Sequence, residues 1–230
     1  MVETNRLEMK VIITGTSGMV GRGVLLECLY HPKIDKILSI GRTNIDLDHP
    51  KLIQLEHKDF SEFTTQTENL KDYDACYMCM GVSAAGLSAA RYTEITYDYT
   101  LTLAEQLIKL NDQMTITYVS GEGTDSSEKG RTMWARVKGK TENDLMALGL
   151  KQAFMFRPGA IIPLRGIKSR TKLYQFVYDY FMWLVRLMKW LAPNSVVNTT
   201  QVGLAMINAT RNGNDKQVIR PKDIIKLAEG

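Results

Sequence analysis

The sequence predicts an α/β protein built on a doubly wound parallel sheet. Short apolar runs alternate with longer helical stretches, the runs are apolar on both faces, and a glycine-rich turn comes directly after the first of them. Six runs of four to six residues read as strands: Val11–Thr14, Lys36–Ile40, Leu52–Leu55, Ala75–Met80, Thr115–Ser120 and Ala153–Phe156. Strands this short and this apolar belong in a sheet covered on both sides. Helical spacing near 19–30, 91–110, 130–148 and 169–191 supplies the covering layers, and right-handed crossovers wind the chain into one sheet.

Composition agrees. The 230 residues are 44% hydrophobic, 23% charged and 8% aromatic, which excludes disordered and fibrous chains. A formal net charge of +4 is too small for a nucleic-acid binder. Three cysteines cannot build a disulfide framework, so a reducing compartment is expected. The opening residues contain no apolar leader core. The most apolar stretch, 173–191, is broken by Asp179, Arg186 and Lys189 into uncharged runs of at most six residues. A bilayer span needs about 20. The expectation is a cytoplasmic protein, not integral to a membrane.

One domain over 1–230 is expected. Beyond Gly159 the rhythm changes to a long aromatic-rich helix, a loop near Pro193–Thr200, a short helix from Gln201, a possible strand at Gln217–Arg220 and a helix opened by Pro221. This segment, 160–230, reads as a small, mostly helical cap shaping a substrate subregion.

The first strand leads into Gly15-Thr16-Ser17-Gly18-Met19-Val20-Gly21-Arg22. Glycines at 15, 18 and 21 allow a tight turn, close approach of backbone N–H groups to a pyrophosphate, and close helix–strand packing. The helix N-terminus adds partial positive charge beneath the phosphates. Strand, turn and helix fall in the order this motif requires.

Past the second strand stands Arg42, 21 residues beyond Gly21, where NAD-binding proteins carry an acidic group for the ribose 2′-hydroxyl. An arginine cannot accept those bonds but pairs with a 2′-phosphate, and Arg22 adds a second positive charge. NADP(H) is therefore preferred over NAD(H). Asp59 and Phe60 after the third strand are candidates for the adenine. Gly81 and Ser83 after the fourth strand are candidates for close backbone approach and a ribose or phosphate contact.

These residues resemble the short-chain dehydrogenase/reductase superfamily in its atypical or extended, epimerase-like branch, near the Tat-interacting tumour-suppressor group. The likeness covers roughly residues 9–163. It rests on the glycine turn with Arg22, on Arg42 and Asp59, on Val119-Ser120-Gly121, on Lys138 and on Arg157-Pro158-Gly159. It implies a Rossmann fold, a bound nicotinamide dinucleotide, and Pro158–Ile162 beside the nicotinamide. It also implies a catalytic Tyr-x-x-x-Lys pair, with a strand-five serine orienting the substrate carbonyl.

Here Lys138 is present and Ser120 corresponds to the serine, but the tyrosine position holds Trp134. An indole N–H only donates and has no acid or base form near neutral pH. Another group, such as Tyr97, Tyr99, Tyr174 or Tyr178, would have to move the proton. Two readings stay open: a reductase or epimerase-like enzyme acting on a small carbonyl or hydroxyl compound, or a catalytically silent NADPH-binding regulatory protein.

Other motifs carry less. Cys76 and Cys79 lie an odd number of positions apart, so on a strand their sulfurs point to opposite faces. His31, His49 and His57 lack metal-ligand spacing and read as surface-loop residues. Glu122, in the polar loop after Ser120, is a catalytic candidate. The wide apolar face of 171–191 suggests core packing, with a homo-oligomer or protein partner as the alternative.

Overall fold

The computed structural model describes residues 8–167 and 195–230, so the helix expected over 171–191, with Tyr174 and Tyr178, lies outside the described residues. Seven parallel strands form the main sheet: β1 (Met9–Thr14), β2 (Ile34–Gly41), β3 (Leu52–Glu56), β4 (Ala75–Met78), β5 (Thr115–Val119), β6 (Gln152–Phe156) and β9 (Val218–Ile219). Across the sheet they lie in the order β3-β2-β1-β4-β5-β6-β9. All six expected strands form, and β9 shortens the possible strand at Gln217–Arg220 to two residues.

Strand order reverses beside β1. The chain runs outward through β2 and β3, then crosses back to add β4 on the other side, so Val11 lies between Ile37 and Ala75. Alternation along β1 sends Val11 and Ile13 to one core and Ile12 to the other. The first core packs under α1 (Met19–Tyr30), the second under α4 (Tyr99–Leu110) and α5 (Met133–Ala147).

The expected helix over 91–110 is in fact two helices joined by a π turn. Ser88 caps α3 (Ala89–Thr93) by accepting the Arg91 N–H at 3.2 Å, and the π turn spans Glu94–Asp98 before α4. Between β3 and β4 a 3-10 turn (Thr64–Gln66) leads into the short helix α2 (Thr67–Leu70), in which only Leu70 is buried.

The described C-terminal part is helical and joins the body of the fold. Asn198 and Gln201 form a capping box that opens α6 (Thr199–Asn212), longer than the short helix expected from Gln201. Val202, Ala205 and Met206 of α6 enter the same core as Val24 and Leu25 of α1. The two helices approach closely because both carry glycine at the crossing. A Cβ at Gly203 would lie 2.7 Å from the Glu27 Cγ, and one at Gly23 would lie 2.5 Å from the Thr199 Cβ. Pro221 opens α7 (Pro221–Ala228) as expected. Residues read as loop near 193–200 include a strand, β8 (Val196–Asn198), paired in parallel with β7 (Ala160–Ile162).

The loop from β5 to α5 is pressed onto that helix. Asp125 donates its N–H to the Ala135 carbonyl at 3.0 Å, and a Cβ at Gly139 would stand 1.8 Å from the Asp125 carbonyl oxygen. Backbone fills that space, so nothing can swing aside. Gly139→Ala is expected to cost about 3 kcal/mol, as overpacking against fixed backbone does; a lowered denaturant midpoint with unchanged slope would register it.

Candidate functional site

A cavity of about 700 Å³ opens where strand order reverses, a size typical of small-molecule sites. Its wall is built from segments just past the carboxyl ends of five strands. β1 supplies Gly15, β2 supplies Arg42, β4 the stretch Cys79–Ser83, β5 the stretch Ser120–Glu122, and β6 Pro158 and Gly159.

The glycine turn forms its floor. Gly15 holds φ at +72°, and a Cβ there would lie 2.6 Å from the Cys79 carbonyl oxygen. A Cβ at Gly21 would lie 2.2 Å from the Gly15 carbonyl oxygen. The turn is thus packed backbone against backbone between β4 and α1, which no other residue type permits. Gly15 accepts the Gly18 N–H at 2.9 Å, and Thr16 Oγ1 bonds Ser39 Oγ of β2 at 2.7 Å in the interior. Gly18 is the N-cap of α1, no side chain caps it, and no acidic residue occupies the first turn. Gly18, Met19 and Val20 line the cavity at this positive helix end.

Arg42 is exposed and lines one end with the buried Phe60. Arg22 does not converge with it. Arg22 lines an adjoining cleft with Thr16, Asn44 and Arg165, which meets the cavity at Ser17 and Gly18. Asp59 is not brought to the cavity: its carboxylate turns back to accept the Ser61 hydroxyl at 2.5 Å and the Ser61 N–H at 3.0 Å, which hold its pKa below the ordinary aspartate value. Gly21 is buried beneath the turn and serves packing. Gly81 and Ser83 line the wall, with Ser83 Oγ accepting the Ala85 N–H at 3.2 Å.

Of the wall formed by α3, the π turn and α4, the sequence pointed to Tyr99 but not to Arg91 or Ile95. Arg91, Ile95 and Tyr99, spaced four apart, all line the cavity. In an α-helix a residue four positions on lies about 40° further round the axis; the wider π turn takes up part of that drift. Tyr99 donates to Glu94 at 2.8 Å and accepts from Arg91 at 3.3 Å, and its ring lies 6.1 Å from that of Phe60. Tyr99 therefore stands at the Arg42 and Phe60 end. Tyr97 leaves the cavity altogether, donating to Asp144 at 2.6 Å, which raises its phenol pKa.

At the opposite end stand Ser120, Glu122, Lys138, Pro158, Gly159 and Ile161. Lys138 donates to the Ser120 carbonyl, and desolvation pulls its pKa down to about 8. The Ser120 hydroxyl is buried and points to the Glu142 carboxylate, with the Phe156 carbonyl 3.2 Å away. Glu142 is fully buried and paired with Arg157, whose Nε lies 3.0 and 3.1 Å from the two carboxylate oxygens. That pair was not foreseen; its only sequence trace is Glu142 one helical turn beyond Lys138. Trp134 is half-buried and does not line the cavity. Its Cη2 lies 3.2 Å from where a Cβ of Gly123 would be. Glu122 donates its N–H to the Pro158 carbonyl at 3.0 Å, and its carboxylate meets Arg220 at 3.3 Å.

Cys76 and Cys79 face opposite cores, as their spacing predicts, and burial pushes the Cys79 thiol up to about 12. His57 is not a surface residue. It is buried against Phe63 at 4.6 Å between ring centroids, with Nε2 2.8 Å from the Glu62 carbonyl. Among the described residues no helix is long and apolar enough to cross a membrane.

No family model matches the chain. Among curated proteins it is similar to the mitochondrial protein FMP52 of Saccharomyces cerevisiae, 26% identical over 96% of each chain. It is also similar to the mitochondrial FMP52 of Candida albicans, 25% identical over 96% of this chain and 98% of that one. These names overturn the cytoplasmic expectation.

Among solved structures, the UDP-N-acetylglucosamine 4-epimerase of Methanobrevibacter ruminantium M1 is 16% identical, with TM-score 0.68 over 93% of this chain and 76% of that one. The ADP-L-glycero-D-manno-heptose-6-epimerase of Helicobacter pylori is 13% identical, with TM-score 0.66 over 99% and 83%. The Bordetella bronchiseptica enzyme WbmF, solved with NAD+, is 13% identical, with TM-score 0.68 over 97% and 78%. The narrower likeness to the Tat-interacting group rests on motifs alone. The chain shares the α/β Rossmann fold of these structures.

Proposed function

We propose that this chain binds NADP(H) and acts as a reductase or epimerase-like enzyme on a small carbonyl or hydroxyl compound. One observation carries the reading: a single cavity joins an uncapped, glycine-floored helix end to Arg42 on one side and Lys138 on the other. The residues fit the dinucleotide. The glycine turn offers backbone N–H groups to the pyrophosphate, Arg42 meets a 2′-phosphate, Phe60 and Tyr99 flank the adenine, and Lys138 holds the nicotinamide ribose. Pro158 and Gly159 border the nicotinamide, which supplies or accepts hydride when bound. Ile161 borders the same end of the cavity. Substrate chemistry then depends on a proton donor other than position 134, and Glu122 is the carboxyl group lining the Lys138 end.

The second reading, a catalytically silent NADPH-binding regulatory protein, is favoured by the same pair of residues. Trp134 has no acid or base form near neutral pH, and the Ser120 hydroxyl is turned to Glu142. NADPH oxidation monitored against a panel of aldehydes, ketones and quinones separates the two. Turnover lost on Lys138→Ala supports the enzyme; tight NADPH binding with no oxidation across the panel supports the silent protein.

Cofactor choice has its own measurement. Arg42→Asp is expected to weaken NADPH binding by about tenfold and to strengthen NADH binding. Calorimetric affinities that ignore the swap would remove Arg42 from the site.

Lys138 sets a pH window. Its ammonium form is the one that donates to a ribose, and its folded pKa lies below the ordinary lysine value, at about 8. NADPH affinity is therefore expected to be full below that pH and to fall as pH rises through it. The same depression makes folding stability rise with pH between about 8 and the unfolded value near 10.4, because the unfolded chain holds the extra proton there. Titration of NADPH affinity against pH, with Lys138→Ala as the flat control, tests the window.

A further inference from the structure

We propose that Glu142 is a positioning residue for Lys138: with Arg157 it locks the Ser120 hydroxyl, and so fixes the Ser120 carbonyl that holds the ammonium at the cavity wall. This rests on the dinucleotide reading, and it gives Ser120 a task other than polarising a substrate carbonyl.

Three observations converge. The Ser120 side chain is buried, and its one proton faces two acceptors, the Glu142 carboxylate and the Phe156 carbonyl. The Ser120 backbone is pinned on the same side, its N–H reaching the Phe156 carbonyl at 2.9 Å, while its own carbonyl accepts from Lys138. Glu142 sits one turn along α5 from Lys138, fully buried, and is clasped by the Arg157 guanidinium, which also reaches Ser126 in the β5–α5 loop. A buried carboxylate is costly unless its hydrogen bonds are met, and here Arg157 and Ser120 meet them. The clasp thereby joins β5, β6, α5 and the loop around the base of one lysine.

The negative charge has a second effect. Burial favours the neutral amine of Lys138, whereas Glu142 favours its ammonium. Around that ammonium stand the Ser120 carbonyl just past β5, Glu142 on its own helix and, behind the carboxylate, Arg157 just past β6. Glu122 of the loop lines the same cavity, as do Arg91 and Tyr99 on the α3–α4 wall. Lys140, Asp144 and Tyr97 form a separate cluster toward the π turn.

The test reads NADPH affinity by calorimetry as a function of pH in the full chain. Glu142→Gln is expected to move the midpoint of affinity loss about one pH unit lower, and Glu142→Asp to restore it in part. A loss of stability alone would not move a midpoint. Gln leaves Arg157 buried without its charge partner, so this variant is at risk of not folding. Ser120→Ala keeps the ion pair and is expected to weaken NADPH binding about fivefold at neutral pH, with recovery in Ser120→Thr, the affinity change of a lost hydrogen bond. Wild-type affinity and midpoint in Ser120→Ala, with the wild-type protein binding NADPH, overturn the proposal alone. A wild-type protein that binds neither dinucleotide overturns it together with the dinucleotide reading.

Discussion

The site depends on a contact in which no side chain takes part. Gly15 lies against the backbone at the end of β4, and Gly21 lies against Gly15, at separations that would place any Cβ inside another residue's main chain. This brings β1, β4 and the first turn of α1 together at the point where strand order reverses. The helix end is consequently aimed into the cavity rather than buried under a loop. Its free N–H groups and its dipole become available to an anion only because the turn is this thin. The Thr16–Ser39 bond then ties the turn to β2, the strand that presents Arg42.

The opposite end of the cavity is held by charge instead of close packing. Glu142 and Arg157 form an ion pair in the interior, and everything near Lys138 is arranged around it. Such a pair adds little to net stability, because desolvation offsets most of the attraction. Its contribution is a fixed geometry. Breaking it leaves a charge stranded in a low dielectric, so β5, β6 and α5 cannot drift apart separately. The two ends thus differ in kind: the glycine-turn end tolerates no added volume, and the lysine end tolerates no unpaired charge.

The sequence carried the sheet plainly because buried parallel strands are written as apolar runs, and the glycine turn because its spacing is steric. Contacts made by tertiary structure were hidden. Tyr97 and Tyr99, two positions apart on a helix, face opposite ways, but spacing alone does not say which of them meets Asp144 and which the cavity. Asp59 occupied the expected place in the chain, but Ser61 two residues on offered a nearer partner. Short polar side chains favour such local bonds over distant ones. His57 read as a loop residue because its aromatic neighbours Phe60 and Phe63 become neighbours only when the chain folds back. The strand β8 was missed for a similar reason: three residues have too little periodicity to declare themselves.

Trp134 links α5 to the loop that follows β5. A tyrosine there would present a phenol with an exchangeable proton, whereas the indole lies beside Gly123, a glycine at φ +86° with no Cβ to meet the ring. The aromatic residue and the glycine are therefore fitted to one another, and the loop carrying Glu122 is shaped by their contact. Restoring tyrosine at 134 would remove ring area from that contact and return a proton donor four residues before Lys138. The lysine would be in place to receive it, because its holder is the Ser120 carbonyl and not the residue at 134. The contacts that place Lys138 at the cavity wall are thus independent of the side chain at 134.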